Sequence, residues 1–387
     1  MALLSSSTVA MAAILFAGCG SPADSPGTRT ADRPGTLVSQ RPLTNAGPAL
    51  ASSAAAATYM RHVSTAPDKS AIEVSGAVFL PEGVAPDGGW PVVAFAHGTT
   101  GVANDCAPTS SPVLFGNDDE VAGLLNDHKA VVMTNYQGLD GPGKAPYLDT
   151  PSSGYDVLNS ARAAQTLGLP LSKDTVLVGL SQGGRATESA AETAKSYAPE
   201  LKILGNVLLS PALRIDLAQS IESRTLSAAQ YLILPYLVEA VRYGDSGYSD
   251  DKVLHGGLLA AAPRLESTCA GQFTAADAAV GLSATADAAQ FVDDDARRVF
   301  TEYEARGNLP KTATDIPTYI ARGDSDTLVD TAWGNQAVAE MCRIGIPVQD
   351  TVLPGGHEAF AAGVEQWTAW IDDRFAGTPT TATTCSR

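Results

Sequence analysis

Positive charge is scarce in this sequence. Its 387 residues contain 25 Lys and Arg against 42 Asp and Glu, a formal net charge of −17 at pH 7, and the basic residues form no run. Phosphate backbones are bound by clustered Lys and Arg, so a nucleic-acid partner is not expected. An acidic excess of this size mainly favours solubility, which suits an exported protein.

Long apolar runs are also missing. The sequence contains no stretch of about 18 apolar residues, the length that marks a membrane-spanning helix. Hydrophobic residues nevertheless make up 44% of the chain. That is enough apolar material for one large α/β domain with an insertion, or for two domains.

Cysteine is rare, and its spacing does not suit a metal site. The five cysteines form no C-x-x-C pair, and no H-x-H or H-E-x-x-H pattern occurs, so we expect neither a metal nor an organic cofactor. Apart from Cys19 the cysteines are even in number: Cys106, Cys269, Cys342 and Cys385. In an exported chain they predict two disulfides, with three possible connectivities.

The beginning of the sequence has the composition of an export signal. The stretch VAMAAILFAGC, residues 9–19, is apolar, ends in small residues and is too short to span a membrane. Its ending, Phe16–Cys19, resembles the bacterial lipobox, in which the cysteine is lipidated, although Phe stands where Leu is usual and no Lys or Arg precedes Cys19. We therefore expect a cell-surface lipoprotein in contact with a membrane through Cys19; the alternative is a secreted protein with a plain signal.

From about residue 57 onward, apolar runs bounded by turn residues alternate with helical patterns. Such alternation predicts an α/β fold, in which a mostly parallel sheet is covered by helices on both faces. The predicted strands lie within 57–65, 71–83, 90–98, 129–138, 175–180, 201–211, 316–324 and 347–354. Helices are predicted within 153–168, after Ser181, and within 331–344 and 357–375.

The alternation lapses between Pro211 and about Lys311, where the composition is mostly helical. About a hundred residues inserted before a sheet strand predict a cap over the edge of the sheet at which the strands end. The predicted organisation is a signal peptide (1–18), a disordered tether rich in Ser, Pro, Gly and Thr (19–55), a core (56–210), a helical cap (211–311), the rest of the core (312–376) and a tail (377–387).

Ser181 is the candidate nucleophile. It lies in the pattern G-x-S-x-G, at 179–183, after an apolar run and before an Ala-rich helical pattern. That strand–turn–helix context is the one in which a nucleophile elbow occurs. Because so short a pattern also arises by chance, the interpretation requires a base, an acid and oxyanion donors elsewhere in the chain.

A base and an acid follow the serine in the expected chain order of Ser, Asp or Glu, and His. His357 is the candidate base, because it is the histidine after Ser181 that lies outside the predicted cap. The turn after the preceding strand offers Asp324, Asp326 and Asp330. Its G-x-x-D-x-x-V spacing, residues 323–329, favours Asp326 over Asp324.

The oxyanion donors are expected in two loops. One is the N–H group of Gln182, the residue after the nucleophile, and the other comes from the loop AHGTTG after the third predicted strand. Thr99 is the favoured donor of that loop and Thr100 the alternative; a threonine hydroxyl could also assist. These elements, in this order, predict that Ser181 is a nucleophile.

Substrate-binding residues are expected in the cap and near the fourth predicted strand. Tyr231 and Leu234, together with their apolar neighbours in 231–237, could line an acyl pocket, and Tyr136 and Gln137 could face the site from below. For all of them the alternative is an ordinary place in the core.

Taken together, these motifs resemble the secretory lipase family of α/β-hydrolases. The resemblance implies an α/β-hydrolase fold with a helical lid, hydrolysis of triacylglycerols or other esters, and the triad Ser181, Asp326 and His357. It also implies the disulfides Cys106–Cys269 and Cys342–Cys385. The segments that carry it are 88–108, 134–154, 178–184, 197–205, 322–329 and 355–358.

The expected function is therefore that of a lipase or carboxylesterase that acts through an acyl-enzyme, with an ester or lipid as the substrate. The same triad would serve a hydrolase of amides, peptides or polyesters, or an acyltransferase. A non-catalytic lipoprotein that binds a lipid or a partner is the remaining alternative.

Overall fold

A computed structural model describes residues 33–380 and 384–385 of the chain. The predicted signal peptide, Cys19 and the first part of the predicted tether lie outside the described residues. Within the described part, every helix is too short or too polar to cross a bilayer.

The core of the molecule is a sheet of nine strands in the described part of the chain. The strands are β1 (Leu37–Pro42), β2 (Ala54–Thr65), β3 (Ala71–Pro81), β4 (Trp90–Ala96), β5 (Ala130–Thr134), β6 (Leu171–Leu180), β7 (Lys202–Leu209), β8 (Thr318–Gly323) and β9 (Val348–Leu353). Their order is β1-β2-β3-β5-β4-β6-β7-β8-β9. The strands from β5 to β9 in this order run parallel to one another, whereas β1, β2 and β3 form an antiparallel extension that pairs with β5. The predicted α/β-hydrolase fold is confirmed.

Eleven α-helices accompany the sheet in the described part of the chain. They are α1 (Pro48–Ser53), α2 (Asp118–Asn126), α3 (Ser152–Ala164), α4 (Gln182–Tyr197), α5 (Leu217–Ser223), α6 (Ala228–Gly244), α7 (Gly256–Ser267), α8 (Ala275–Ser283), α9 (Asp294–Gly307), α10 (Thr331–Ile344) and α11 (Val364–Phe375). A 3₁₀-helix, His357–Gly363, precedes α11.

The central strands read as unbroken apolar runs because both faces of the sheet are covered. All five residues of β5 are buried, and so are six of the seven residues of β4. Alternate side chains of β4 belong to different clusters: Ala94 packs with residues of α3 and α4, whereas Val93 and Phe95 pack with residues of α2 and α11. The parallel part of the sheet therefore lies between two helical layers.

The prediction of a disordered tether up to residue 55 is wrong for its described part. Strand β1 pairs antiparallel with β2, and the short helix α1 buries Leu50. Five of the six residues of β1 are exposed, so the strand is held by main-chain hydrogen bonds to one neighbour and needs no apolar alternation. That is why its polar sequence did not reveal it.

Five helices, α5 to α9, lie between β7 and β8, where the sequence predicted the cap. Their starts are encoded locally. Ser227 and Gln230 form a capping box at the beginning of α6, and Thr274 and Asp277 form another at α8, each pair satisfying main-chain N–H groups of the first turn. The buried side chains of α6 pack in the same cluster as those of α3 and α4, so the inserted helices and the core share one apolar interior.

Both disulfides that the resemblance implied are present. Cys106, in the loop after β4, is bonded to Cys269, which follows α7, across 163 residues of sequence. Cys342 in α10 is bonded to Cys385. The first bond joins the loop after β4 to the inserted helices, and the second holds the end of the chain against α10.

Candidate active site

Ser181 occupies a sharp turn between β6 and α4. Its backbone has φ 53° and ψ −110°, a conformation that costs a non-glycine residue about 1–3 kcal/mol and persists only when its surroundings enforce it. The flanking glycines explain the enforcement: a Cβ atom on Gly179 would lie 2.2 Å from the carbonyl oxygen of Gly183, and one on Gly183 would lie 1.8 Å from that of Ala96. The G-x-S-x-G pattern is therefore a steric requirement of this turn.

His357 and Asp326 form a hydrogen-bonded pair. Nδ1 of His357 lies 2.7 Å from Oδ2 of Asp326, and the other oxygen of Asp326 accepts hydrogen bonds from the N–H groups of Leu328 and Val329 at 2.8 and 3.0 Å. Asp324 instead accepts a hydrogen bond from the N–H of Gly355 at 3.0 Å. The structure thus brings the favoured aspartate, and not its neighbour, to the imidazole.

The two loops that carry this pair are packed closely together. A Cβ atom on Gly323, at the end of β8, would lie 2.1 Å from the carbonyl oxygen of Gly356, so only glycine lets the loop before His357 approach this strand. The carbonyl of His357 accepts a hydrogen bond from the hydroxyl of Ser210. His357 is fixed through its backbone by the end of β7 and through its ring by Asp326.

Ser181 and His357 line one cavity of about 260 Å³. Thr99 and Gln182, the favoured oxyanion donors, line it too, and most of its remaining wall is apolar or aromatic. The wall contains Phe115, Tyr147, Leu148, Leu180, Ala212, Ile215, Leu217, Ile233, Leu237, Ala270, Leu328, Val329 and Trp333. Its carboxylates are Glu120 and Glu358, and no Lys or Arg is present among its described lining residues.

The N-terminus of α4 points at this cavity. Gln182 is the first residue of the 16-residue helix, and the first amides of a helix have no partner within it and carry the positive end of its dipole. An N–H group at this position can donate to an anion. The arrangement is suited to a negatively charged oxygen next to Ser181.

Of the two threonines in the loop after β4, the structure places Thr99 on the cavity. Thr100 is fully buried away from it, and its carbonyl accepts a hydrogen bond from the N–H of Ala270 at 2.8 Å. The N–H of Gly98 donates to Oδ1 of Asn117 at 3.0 Å and is therefore occupied. Thr99 remains the candidate donor from this loop.

His97 fixes the same loop. Its Nδ1 lies 2.6 Å from the carbonyl oxygen of Gly98, and its ring packs against Tyr136 with the ring centroids 4.4 Å apart. Burial lowers the pKa of His97 to about 4, so the ring is neutral and Nδ1 carries the proton that it donates.

Four of the predicted substrate-binding residues do not line the cavity: Tyr136, Gln137, Tyr231 and Leu234. Tyr231 and Leu234 are buried in the packed interior of the inserted helices, where the hydroxyl of Tyr231 donates to the carbonyl of Thr285. Tyr136 and Gln137 line a separate cavity of about 20 Å³, which Gln182 also borders. Because α6 is buried on most of its surface, its apolar pattern could not indicate which residues face the site.

Two residues of the predicted stretch 231–237, Ile233 and Leu237, do reach the cavity from α6. Phe115 and Tyr147 were not anticipated, and they reach it from the loops after β4 and β5. Loop residues have no periodicity to mark them. The one available signal was position, since loops that follow parallel strands gather at the edge of the sheet that carries Ser181.

Comparison with protein families gives a match to part of this chain. The family model described as secretory lipase matches residues 114–245, which confirms the resemblance found in the sequence. This family and the two disulfides indicate an exported protein.

The chain is also similar in sequence to a lipase-like protein. The chain is 26% identical over 273 residues to a probable inactive lipase of Mycobacterium tuberculosis (strain CDC 1551 / Oshkosh), an alignment that covers 67% of this chain. The alignment spans 58% of that relative's own length.

Solved structures share the fold. Lipase A of Candida antarctica in its closed state is similar with a TM-score of 0.72 and 17% identity, over 93% of this chain and 87% of that one. The rice cell wall degrading esterase LipA of Xanthomonas oryzae has a TM-score of 0.67 and 19% identity, over 88% of this chain and 98% of that one. At these identities the likeness concerns the fold alone.

Proposed function

We propose that this protein is a serine hydrolase that cleaves carboxylic esters, a lipase or carboxylesterase, through an acyl-enzyme intermediate on Ser181. The observation that carries the proposal is the hydrogen bond of 2.7 Å between His357 and Asp326, formed at the wall of the cavity that holds the strained Ser181. No cofactor takes part in the proposed chemistry.

In the first half of the reaction, Oγ of Ser181 attacks the carbonyl carbon of the ester while Nε2 of His357 accepts its proton. Asp326 holds the imidazole in the required tautomer and stabilises its positive charge. The carbonyl oxygen becomes an oxyanion, which the N–H groups of Gln182 and Thr99 bind; each such donor typically contributes ~2.7–4 kcal/mol. The C–O bond then breaks, and His357 gives the proton to the leaving alcohol.

In the second half, water replaces the alcohol. His357 accepts a proton from the water as its oxygen attacks the acyl carbon, and the oxyanion forms again at the same donors. The bond to Ser181 breaks, the carboxylic acid leaves, and the proton returns to Oγ. Every bond made to the enzyme is thereby broken, and the enzyme is regenerated.

The cavity wall supports an apolar acyl group. Leu180, Ile215, Leu217, Ile233 and Leu237 contribute hydrocarbon surface, and such surface is favourable for an alkyl chain at about 25 cal/mol per Å² removed from water. The two carboxylates, with no Lys or Arg among the described lining residues, would repel an anionic substrate. We infer a neutral ester with an alkyl acyl chain.

A second candidate function comes from the comparison with the curated relative, whose name describes a probable inactive lipase. A non-catalytic protein of this fold would bind a lipid or a partner without turnover. The intact Ser181, Asp326 and His357 in this chain favour catalysis, because a binding protein does not require all of them.

The decisive experiment compares wild type, Ser181→Ala and the matched control Ser196→Ala, a surface serine near the other end of α4, on p-nitrophenyl esters from acetyl to palmitoyl, with and without an oil interface. We expect turnover by wild type and control and its loss in Ser181→Ala, with circular dichroism unchanged. Preference for long chains at an interface would indicate a lipase, and activity on short soluble esters an esterase.

Two results contradict the proposal. Near wild-type hydrolysis by Ser181→Ala would remove Ser181 as the nucleophile. A wild-type protein that is inert to every ester would favour the amide-hydrolase, acyltransferase or binding alternatives.

We also propose that the exported protein is anchored to a membrane through lipidated Cys19. In a bacterial host that processes lipoproteins, the wild-type protein should fractionate with membranes and Cys19→Ala with the soluble material. A wild-type protein that is already soluble would show that the motif at 16–19 is part of a plain signal.

A further inference from the structure

Tyr147 connects the loop after β4 to the inserted helices. It is 4% exposed and lines the candidate active-site cavity, and its hydroxyl oxygen lies 2.8 Å from Oγ1 of Thr99. On its other side, the carbonyl of Tyr147 accepts a hydrogen bond from the hydroxyl of Tyr303 in α9 at 2.8 Å. The ring of Tyr147 meets that of Tyr236 in α6 edge-on, with centroids 6.0 Å apart. Contacts with α6 and α9 therefore hold Tyr147 in place, and its hydroxyl contacts that of Thr99.

The chemistry of the two hydroxyls favours one direction for the hydrogen bond. Each hydroxyl has one proton to donate and lone pairs to accept with, and within the described part of the chain neither has a second hydrogen-bond partner. A phenol is the better donor and an aliphatic hydroxyl the better acceptor. Burial raises the pKa of Tyr147 to about 12, so the phenol keeps its proton throughout the neutral range.

If Tyr147 donates, the proton of Thr99 is free for another acceptor. Thr99 lines the cavity together with Ser181 and Gln182, so an acceptor available to that proton is the oxygen that becomes negative when Ser181 attacks. A hydroxyl that already accepts a hydrogen bond is polarised and donates more strongly. Fixing its rotation also lowers the entropy lost when the oxyanion forms.

We propose that Tyr147 is a positioning residue of the oxyanion hole: its hydroxyl donates to Oγ1 of Thr99, and the hydroxyl of Thr99 donates to the oxyanion beside the N–H groups of Thr99 and Gln182. This proposal rests on the proposed ester hydrolysis at Ser181. It gives the inserted helices a part in catalysis, because Tyr236 and Tyr303 hold the tyrosine that orients the donor.

Four variants and a control test the hydrogen bond on p-nitrophenyl butyrate. Thr99→Val removes the donor hydroxyl and should lower kcat about 10²-fold, whereas Thr99→Ser keeps the hydroxyl and should remain near wild type. Tyr147→Phe leaves the donor but no longer fixes it, so we expect kcat to fall about tenfold with KM within about twofold of wild type. Tyr147→Phe combined with Thr99→Val should be no slower than Thr99→Val alone.

The matched control is Tyr248→Phe, which also removes a buried tyrosine hydroxyl, one that donates to the carbonyl of Ala296 within the inserted helices. It should leave kcat unchanged. With an active wild type, three results would overturn this inference and leave the proposed function standing. The first is a kcat of Tyr147→Phe equal to that of Tyr248→Phe, and the second is a double variant in which the losses of kcat from Tyr147→Phe and Thr99→Val multiply. The third is a Tyr147→Phe variant in which KM changes and kcat does not. A wild type without esterase activity would overturn both.

Discussion

At the scale of single residues, two aspartates of one turn provide a test of the proposed acid of the triad. Asp326 contacts His357 at 2.7 Å, and Asp324 accepts from the N–H of Gly355. Asp326→Asn keeps the shape but presents an amide to Nδ1, which favours the wrong imidazole tautomer. We expect kcat for a p-nitrophenyl ester to fall by about 10³–10⁴-fold.

Asp324→Asn is the matched control, since it makes the same chemical change two residues away. It should alter kcat by less than about threefold, because the side chain amide can still accept from Gly355. A larger loss in Asp324→Asn than in Asp326→Asn would contradict the assignment of the acid.

The same turn shows which residues a sequence can identify. Asp326 could be predicted because the chain order of the triad and the spacing of the turn restrict the choice to a few positions. Ile233 and Leu237 could not be distinguished from Tyr231 and Leu234, because the tertiary neighbours of α6, and not its periodicity, decide which of its buried residues border a cavity. The role of Tyr147 depends on a contact between two distant loops.

At the scale of elements, helix α4 contains a carboxyl group whose burial disfavours its ionised form. Glu188 is fully buried, and its Oε2 accepts a hydrogen bond from Nδ2 of Asn206 in β7 at 2.9 Å. Burial raises the pKa of Glu188 to about 8, from 4.5. The folded protein therefore keeps this proton in a pH range where the unfolded chain has released it.

The sign of the pH dependence follows. Between about pH 4.5 and pH 8 the folded state binds more protons at Glu188 than the unfolded state, so the free energy of unfolding decreases as the pH rises. Glu188→Gln keeps the shape and removes the titration. The free energy of unfolding is measured with urea at pH 5 and at pH 8. From pH 5 to pH 8 we expect it to fall by on the order of a few kcal/mol more in the wild-type protein than in the variant.

Glu302→Gln, at an exposed position of α9, is the control. Its free energy of unfolding should fall between pH 5 and pH 8 by as much as that of the wild type. Parallel pH profiles for wild type and Glu188→Gln would show that Glu188 is not protonated in the folded state.

Most strands could be predicted from the sequence because strands buried on both faces, such as β4 and β5, leave continuous apolar runs. Strand β1 lies at the edge of the sheet with an exposed sequence, so the pattern that reveals a buried strand was absent. A polar edge strand is visible only once its partner β2 is in place.

At the scale of the whole molecule, the place of the inserted helices could be predicted but their attachment to the site could not. The lapse of alternation after Pro211 marked where the insertion begins. The contacts that fix it on the sheet are long-range ones, such as those of Arg185, which is buried in α4 and donates to the carbonyl of Ala212 and to Oδ1 of Asn308. A lone buried arginine in a helix has no sequence signature for such a role.

The disulfide Cys106–Cys269 should couple these helices to catalysis, whereas Cys342–Cys385 should not. The first lies beside the loop of Thr99: a Cβ atom on Gly101 would be 2.7 Å from Sγ of Cys106, and the N–H of Ala270 donates to the carbonyl of Thr100. The two bonds join cysteines that are 163 and 43 residues apart in the sequence. Their losses in the free energy of unfolding should therefore be similar, at most about 5 and about 4 kcal/mol.

Replacing both cysteines of one pair by serine separates stability from activity. We expect Cys106→Ser with Cys269→Ser to lower kcat about tenfold, measured well below the melting temperature, because the oxyanion loop loses a support and its donors are displaced. Cys342→Ser with Cys385→Ser should keep kcat within about twofold of wild type. The two double variants lose comparable stability and differ in which loop loses its covalent link. Equal values of kcat in the two would therefore show that the loop after β4 holds its shape without the bond to the inserted helices.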